Sequence, residues 1–333
     1  MTHFYRFCLI KLHYLAIAFT LLLGSQVYAK SPLEARRELQ AIQEEKRLKP
    51  QDYYNLIRSD FEKNEFVSTI GHCDQLIREY PRSIFNAEAT FFQAKSFYNT
   101  GEFDLANEAL THYLNDYSNL THFEDAIRYK FEIAKKFASG AKKHLFGGRR
   151  SPKWLSAKED AIQIFDEVIT TLPRNDLAAY SLFGKGELLA GLKSFKESIE
   201  SYQNLTRRFP KHPLASEAYL EIGRVYLAQC QEEFPDPNFI DLAEINIRKF
   251  QSDFPGEPRI AVLEDSLAKM KERFAKELYE NGRFYERKKK FRSAFLYYVN
   301  ILKKYPSTSY APLCETNIAK MREQVKDKDE LTI

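Results

Sequence analysis

Glycine is scarce in this chain, with 12 among 333 residues, and proline is moderate at 13. So few freely turning residues exclude collagen-like and low-complexity linker architectures. Cysteine is sparser still. Cys8 lies in the leader described below, and Cys73, Cys230 and Cys314 are too widely spaced for a disulfide framework or a metal knuckle. A Cys230–Cys314 bridge stays open, whereas Cys73 lies on an apolar helix face and reads as a buried thiol. Long apolar runs are missing: the longest, Leu15–Leu23 (LAIAFTLLL), is far below the roughly 20 residues of a membrane-spanning helix. Neither sign of charge dominates, with 50 Lys and Arg against 46 Asp and Glu and a formal net charge of +4. That balance excludes nucleic acid as the main partner, because phosphate binding needs a strong basic face. The seven histidines are scattered, and HExxH, GxSxG and Cys-His constellations are absent. The expectation is therefore no catalytic residue, no cofactor and no metal.

What is present is apolar and aromatic. Hydrophobic residues make up 44% and charged residues 29%, with 26 Phe and 20 Tyr against a single Trp. Such a chain folds, and its aromatics suit knobs packed between helices.

The first 29 residues read as a secretory signal. Arg6 and Lys11 form a basic start, Leu15–Leu23 the apolar core, and Val27-Tyr28-Ala29 a small-x-small cleavage pattern. Cleavage after Ala29 delivers the protein to the periplasm; an uncleaved anchor is the alternative. Loss of Arg6 and Lys11 lowers the formal net charge from +4 to +2. Residues 30–51 are charged with sparse Leu and Ile and read as a leading helix or linker. Residues 52–325 form the folded array, and 326–333 a polar tail.

That array is repetitive. FVSTIGHCDQLIREYP (66–81), FDLANEALTHYLNDYS (103–118), FKESIESYQNLTRRFP (195–210), IDLAEINIRKFQSDFP (240–255) and FRSAFLYYVNILKKYP (291–306) share one length and pattern, and KEDAIQIFDEVITTLP (158–173) departs only at its first residue. Three residues in stands a small side chain: Thr69, Ala106, Ala161, Ser198, Ala243 or Ala294. Four further comes Cys73, Leu110, Phe165, Tyr202, Ile247 or Tyr298. Three beyond that comes Leu76, Tyr113, Val168, Leu205, Phe250 or Ile301. Steps of four and three keep all three on one helical face, and proline closes five of the six segments.

A second helix precedes most segments, as in Ala87–Tyr98, Ala178–Gly191, Ser216–Ala228 and Phe274–Tyr285. The steps between segment starts are 37, 55, 37, 45 and 51 residues. The shorter ones approach the roughly 34-residue tetratricopeptide unit, and the longer ones carry insertions. The predicted fold is all-α, a tetratricopeptide-like solenoid of about six helical hairpins.

The 55-residue step contains KKHLFGGRRSPKW (142–154), with five cationic residues, no acidic ones and the only tryptophan. It lies between a helix from Phe123 to about Ala138 and one starting near Ala157. It has neither GxxxxGK[ST] nor GxGxxG, so it is no nucleotide cradle but an insertion at a hairpin turn, structural or partner-binding. Gly184-Lys185-Gly186 sits within a helix and reads as a packing feature.

With the repeats in place, the sequence resembles the BamD family, tetratricopeptide lipoproteins of the outer-membrane β-barrel assembly machinery. The strongest likeness is Arg259–Pro312, where a long helix with Leu-Ala leads to a Tyr-x-x-Gly region and a helix ending in Tyr-Pro-Ser-Thr. FGGRRSP (146–152) also resembles an insertion in the family's third repeat, and the likeness runs from about Asp52 to Gln324. Three features depart from the pattern. No cysteine follows the leader's apolar core, six repeats stand where the family has five, and Leu296-Tyr297 occupies a place where the family often has Asn-Arg.

The resemblance implies early repeats that meet unfolded outer-membrane protein segments and late repeats that meet a BamA-type barrel subunit, with peripheral association at the outer membrane. Candidates on the early A helices are Tyr53, Tyr54, Arg58, Phe91, Gln93 and Lys95, weighed against packing as inter-helix core. Arg58, Gln93 and Lys95 are favoured because their heads stay solvated. Arg149 and Arg150 are candidates in the insertion. In the run RFYERKKKFR (283–292), Arg283, Lys288 and Lys289 suit an acidic partner or anionic lipid heads, with a solvated turn as the alternative. Another periplasmic tetratricopeptide adaptor, linked to Tol–Pal, cell division or peptidoglycan, is the competing function.

Overall fold

A computed structural model describes Arg36 and residues 47–118, 120–145, 147–149, 151–232 and 236–324. The expected signal segment, most of the leading linker, Phe146, Arg150 and the polar tail lie outside the described residues. The helices are α1 (Pro50–Glu62), α2 (Phe66–Glu79), α3 (Asn86–Asn99), α4 (Phe103–Asp116), α5 (Phe123–Ala138), α6 (Lys158–Thr171), α7 (Asp176–Gly191), α8 (Phe195–Arg208), α9 (Pro213–Glu232), α10 (Asn238–Asp253), α11 (Ile260–Arg287), α12 (Phe291–Lys304) and α13 (Tyr310–Gln324). They pair as six consecutive A–B hairpins, each packed on its neighbours, and α13 covers the last. The predicted repeat solenoid is the observed one, with α1 starting two residues before the expected boundary at Asp52.

All eighteen periodic side chains of the B helices, from Thr69 to Ile301, are buried. The A helices match them in size. Gly186 lies against the Tyr202 ring and Gly282 against the Tyr298 ring; a Cβ on either would sit 2.7 Å or 2.5 Å from ring carbon. Where the B-helix residue is small the A helix fills the space, as Ile57 does beside Cys73, and where it is larger the A helix is small, as Ala94 is beside Leu110. Constant hairpin spacing with variable side chains is met by trading volume across the contact. Buried hydroxyls tie the pairs further, Ser198 donating to the Gly186 carbonyl at 2.8 Å and Ser201 to that of Leu182 at 2.7 Å.

Five of the six A–B turns share one stop signal. Asn64, Gly101, Gly140, Lys193 and Lys289 all have positive φ, between 58° and 104°. After each, the next amide donates back five residues, as Glu102 to Phe97 and Lys290 to Tyr285, the pattern of a Schellman cap. The tolerance for Asn or Lys at three of these positions explains why so few glycines suffice.

The insertion begins directly after the Gly140 cap and is not a plain loop. Its ends form an antiparallel ribbon, β1 (Lys142–His144) with β2 (Lys153–Ser156). Lys143 faces Leu155 and His144 faces Lys153, so Trp154 is the extra residue of a bulge. The all-α expectation missed this element because three or four residues are too short to show a two-residue period. Cys73, Cys230 and Cys314 are buried thiols, which closes the question of a Cys230–Cys314 bridge. Burial pushes the Cys314 thiol up to about 12 and Cys73 higher, so neither is nucleophilic at neutral pH.

Candidate protein-binding surfaces

The early A helices separate the candidates into core and surface. Tyr53 and Phe91 are 6% and 2% exposed and belong to the core, correcting their reading as groove contacts. Tyr53 still donates its hydroxyl to Glu79 at 3.3 Å, while Phe91 stacks on His122 with ring centres 4.4 Å apart. Both were misread because an aromatic on an A helix faces either the groove or the next hairpin, and only the stacking geometry decides which. Tyr54 is half-buried, stacked on Phe85 at 4.8 Å with its hydroxyl on Glu88. Arg58 is exposed and reaches only Glu62, one turn away at 3.8 Å.

Gln93 and Lys95 do not share a face. Gln93 turns toward α2 and donates to Asp74 at 2.5 Å, at the edge of a cavity of about 380 Å³ lined also by Arg78, Thr90, Glu108 and His112. Lys95 turns the other way. Its ammonium sits 4.6 Å from the Phe61 ring centre, 5.4 Å from Phe91 and 5.7 Å from Phe92. Burial lowers its pKa, and the carboxylate of Asp125 opposes that shift. A half-buried cation over three rings is desolvated and prepared for further π or anionic contacts.

Beyond Lys95, ring contacts link one A helix to the next. Tyr98 meets Tyr129 at 5.2 Å, Phe131 meets Tyr180 at 6.3 Å, and Lys135 lies 5.3 Å over Phe131. Tyr180 is 47% exposed, and Tyr98 and Tyr129 are half-buried. This row, built from consecutive A helices, is the surface that an extended apolar segment can lie along. Tyr98, Tyr129 and Tyr180 were not among the residues picked from sequence; alignment across three helices is their only shared signal.

Behind the row, Lys130 is buried at 2% exposure and joins the second and third hairpins. Its ammonium donates to Asn107 at 2.9 Å and Thr111 at 2.7 Å, and pairs with Glu167 at 2.7 Å. Burial lowers its pKa while Glu167 holds the charge in place.

The ribbon is clamped to the α3–α4 turn by charge. Buried His144 places Nδ1 2.7 Å from Asp104 and Nε2 3.1 Å from Glu102, and its backbone amide donates to Asp104 at 2.9 Å. Lys153 reaches Glu102 at 2.8 Å and the Gly101 carbonyl at 2.9 Å. Burial pushes the Asp104 carboxyl up, but the His144 amide and ring outweigh it and hold the group below its ordinary range. Glu102, Asp104 and His144 have metal-ligand chemistry, with ligand atoms within 4.8 Å of one another. The Lys153 ammonium already pairs with Glu102 and both ring nitrogens of His144 face carboxylates, so the arrangement is a fastening. The clamp holds Trp154 out at 71% exposure, with Leu155, Lys142 and Arg149 exposed nearby.

Arg283, Lys288 and Lys289 are all exposed at the α11–α12 turn. Arg283 lies 3.7 Å from Glu286, and Lys288 lies 5.9 Å from the Phe284 ring centre.

Six stacked hairpins presenting rows of A-helix side chains define a helical repeat protein of the tetratricopeptide type. Residues 192–330 match the model of the family described as YfiO, outer membrane lipoprotein, and this C-terminal part of the chain is BamD-like. Comparison with curated proteins gives no match. Among solved structures, YrrB, a tetratricopeptide protein with an unusual peptide-binding site, overlays 68% of this chain and 97% of its own at 13% identity and a TM-score of 0.37. A tetratricopeptide protein from Parabacteroides merdae overlays 80% of this chain and 96% of its own at 12% identity and a TM-score of 0.35. Among the described residues no helix is long and apolar enough to cross a membrane.

Proposed function

We propose that the protein is a non-enzymatic scaffold for assembly and insertion of outer-membrane β-barrel proteins, acting on the periplasmic side of the outer membrane. The observation that supports this most is the match of residues 192–330 to an outer membrane lipoprotein family. In this reading the A-helix row around Lys95, Tyr129 and Tyr180 receives unfolded, aromatic-rich outer-membrane segments. The C-terminal hairpins hold a BamA-type barrel subunit. Exposed rings and half-desolvated cations suit substrates that vary in sequence but share aromatic content, since stacking and cation–π contact tolerate many partners.

The experiment is recovery of partners with the native protein, combined with a photo-crosslinking residue at Tyr129. A BamA-type subunit and nascent barrel proteins among the products support the reading. Recovery of Tol–Pal components or cell-wall synthases instead turns it to the other adaptor class. Arg149→Ala with Arg150→Ala tests the ribbon: folding stays intact and partner recovery falls if the insertion contributes.

A further inference from the structure

The turn between α11 and α12 is the most cationic stretch among the described residues, and the contacts around it are not those of a structural charge network. Arg283, Arg287, Lys288, Lys289, Lys290 and Arg292 are all exposed, and Glu286 is the single acid among them. Glu286 is largely committed, accepting the Tyr298 hydroxyl at 2.7 Å and lying 3.7 Å from Arg283. Arg287, Lys288, Lys289, Lys290 and Arg292 have no ion pair within 4.0 Å among the described residues. Elsewhere in the chain exposed lysines do pair along their helices, as Lys269 with Asp265 and Lys276 with Glu280. Five exposed cations within six residues repel one another, which destabilises the turn unless an external anion is present.

Backbone geometry adds a local strain to that repulsion. Lys289 occupies the left-handed cap position, φ 58°, that Asn64, Gly101, Gly140 and Lys193 fill in other hairpins. An L-residue is strained there, and lysine has no local hydrogen bond to compensate as asparagine does. A cation is thus kept where backbone preference favours glycine.

Apolar groups complete the surface. Phe284 is 48% exposed in the middle of the basic run, and Leu296 on α12 is 54% exposed. They are joined through rings: Phe284 touches Tyr285 at 5.4 Å, and Tyr285 stacks on Tyr297 at 5.5 Å beside Leu296. The tip of a helical hairpin is convex, and its cations are long, mobile side chains rather than a preorganised fork. The cavity beside it is lined by Tyr285, Ser293, Leu296, Tyr297 and Asn300, none of them cationic, so it holds no fixed site for an acidic side chain. The tip matches a flat, deformable anionic surface that takes an aromatic wedge between charged heads.

We infer that the α11–α12 turn docks on anionic phospholipid, with Lys288, Lys289, Lys290 and the flanking arginines on the headgroups and Phe284 entering the interface. This contact is independent of which protein partner the solenoid carries, so its failure leaves the scaffold reading standing.

The test is partitioning of the full exported protein into vesicles of phosphatidylglycerol and phosphatidylethanolamine, against vesicles of phosphatidylcholine alone. Binding to the anionic vesicles exceeds that to the neutral ones and weakens as salt is raised. Replacing Lys288, Lys289 and Lys290 together by Gln lowers anionic-vesicle binding on the order of a hundredfold, from about fivefold per cation. A charge-matched control, Lys269, Lys276 and Lys304 to Gln, binds as the parent does. Phe284→Ser weakens binding without changing its salt dependence. Circular dichroism confirms that each variant is folded. Equal partitioning into both vesicle types overturns the inference, and so does equal loss in the triple variant and its control. Loss of a protein partner by the triple variant, with vesicle binding unchanged, assigns the tip to a protein and also overturns it.

Discussion

Gly282 and Lys289 stand at opposite ends of what a single residue can do in this repeat. Gly282 is required by proximity. A methyl group there would lie 2.5 Å from a Tyr298 ring carbon, and that ring is fully buried with its hydroxyl committed to Glu286. Gly282→Ala therefore destabilises the protein by about 1–3 kcal/mol, the range for overpacking a filled core, read as a lower denaturant midpoint with unchanged slope. Gly71, by contrast, has nothing within 4 Å of its would-be Cβ, sits within α2 and tolerates alanine, with a gain of up to about 1 kcal/mol from helix propensity. Lys289 is strained by backbone alone. Lys289→Gly relieves a left-handed conformation and raises stability by up to about 1 kcal/mol, while removing one cation from the lipid-facing turn. Stability and vesicle binding move in opposite directions in that one variant.

At the scale of elements, the ribbon is an add-on fastened by four side chains, His144 and Lys153 on Glu102 and Asp104. Asp104 is held below its ordinary range, so its stabilising contact is fully present above the unfolded carboxylate value near pH 4. The contact is lost as pH falls further, through the lower folded value. The neighbouring charges are Glu102 and Lys153 in the clamp itself and the Lys143–Asp160 pair at 2.6 Å beside it. Trp154, the only tryptophan, reports on this element alone. Its fluorescence anisotropy stays level from neutral pH to about pH 5 and drops in stronger acid, before the helical signal is lost. Asp104→Asn gives the lower anisotropy already at neutral pH. An unchanged anisotropy in that variant refutes the clamp as the fastening.

The same scale shows what sequence patterning could and could not reveal. The B helices were legible to the residue at five of six starts, because a small-large-apolar face repeated six times is a strong periodic signal. Only the fifth begins earlier, at Asn238 rather than Ile240. The A helices were found but drawn short, α11 most of all. It runs 28 residues from Ile260; the repeat pattern alone marked only Phe274–Tyr285, and the family likeness supplied the long helix before it. The ribbon was invisible as strand. Arg58 and the Arg283–Lys289 tip lie exposed and Lys95 is half-buried over three rings, while Tyr53 and Phe91 are core.

The whole molecule is a stack in which each hairpin touches mainly its neighbours, so stability is approximately a sum of local terms. α13 is the terminal cover. Its Cys314, Ile318 and Met321 are buried in the same core as Phe274, Tyr298 and Ile301, and Asn317 donates to the Tyr279 hydroxyl at 3.1 Å. Deleting 310–324 uncovers that core. Hydrogen-exchange protection is then lost in α11 and α12, whereas α1 to α4, with their own clusters, keep theirs. Uniform loss along the chain would contradict the nearest-neighbour picture.

Sequence alone determined the repeat: its helical period, its six copies, the prolines that close it and the place of the insertion. Those are properties of local spacing, and a helix face is written in steps of three and four. Tertiary structure decided which aromatics are core and which form the A-helix row. It also set Gln93 and Lys95 on opposite sides of one helix, and brought His144 to Asp104 across 40 residues. The reason is physical: a side chain's burial depends on what the neighbouring hairpin places against it, and that neighbour's approach is set by volumes traded across the contact, not by the residue's own position in the repeat.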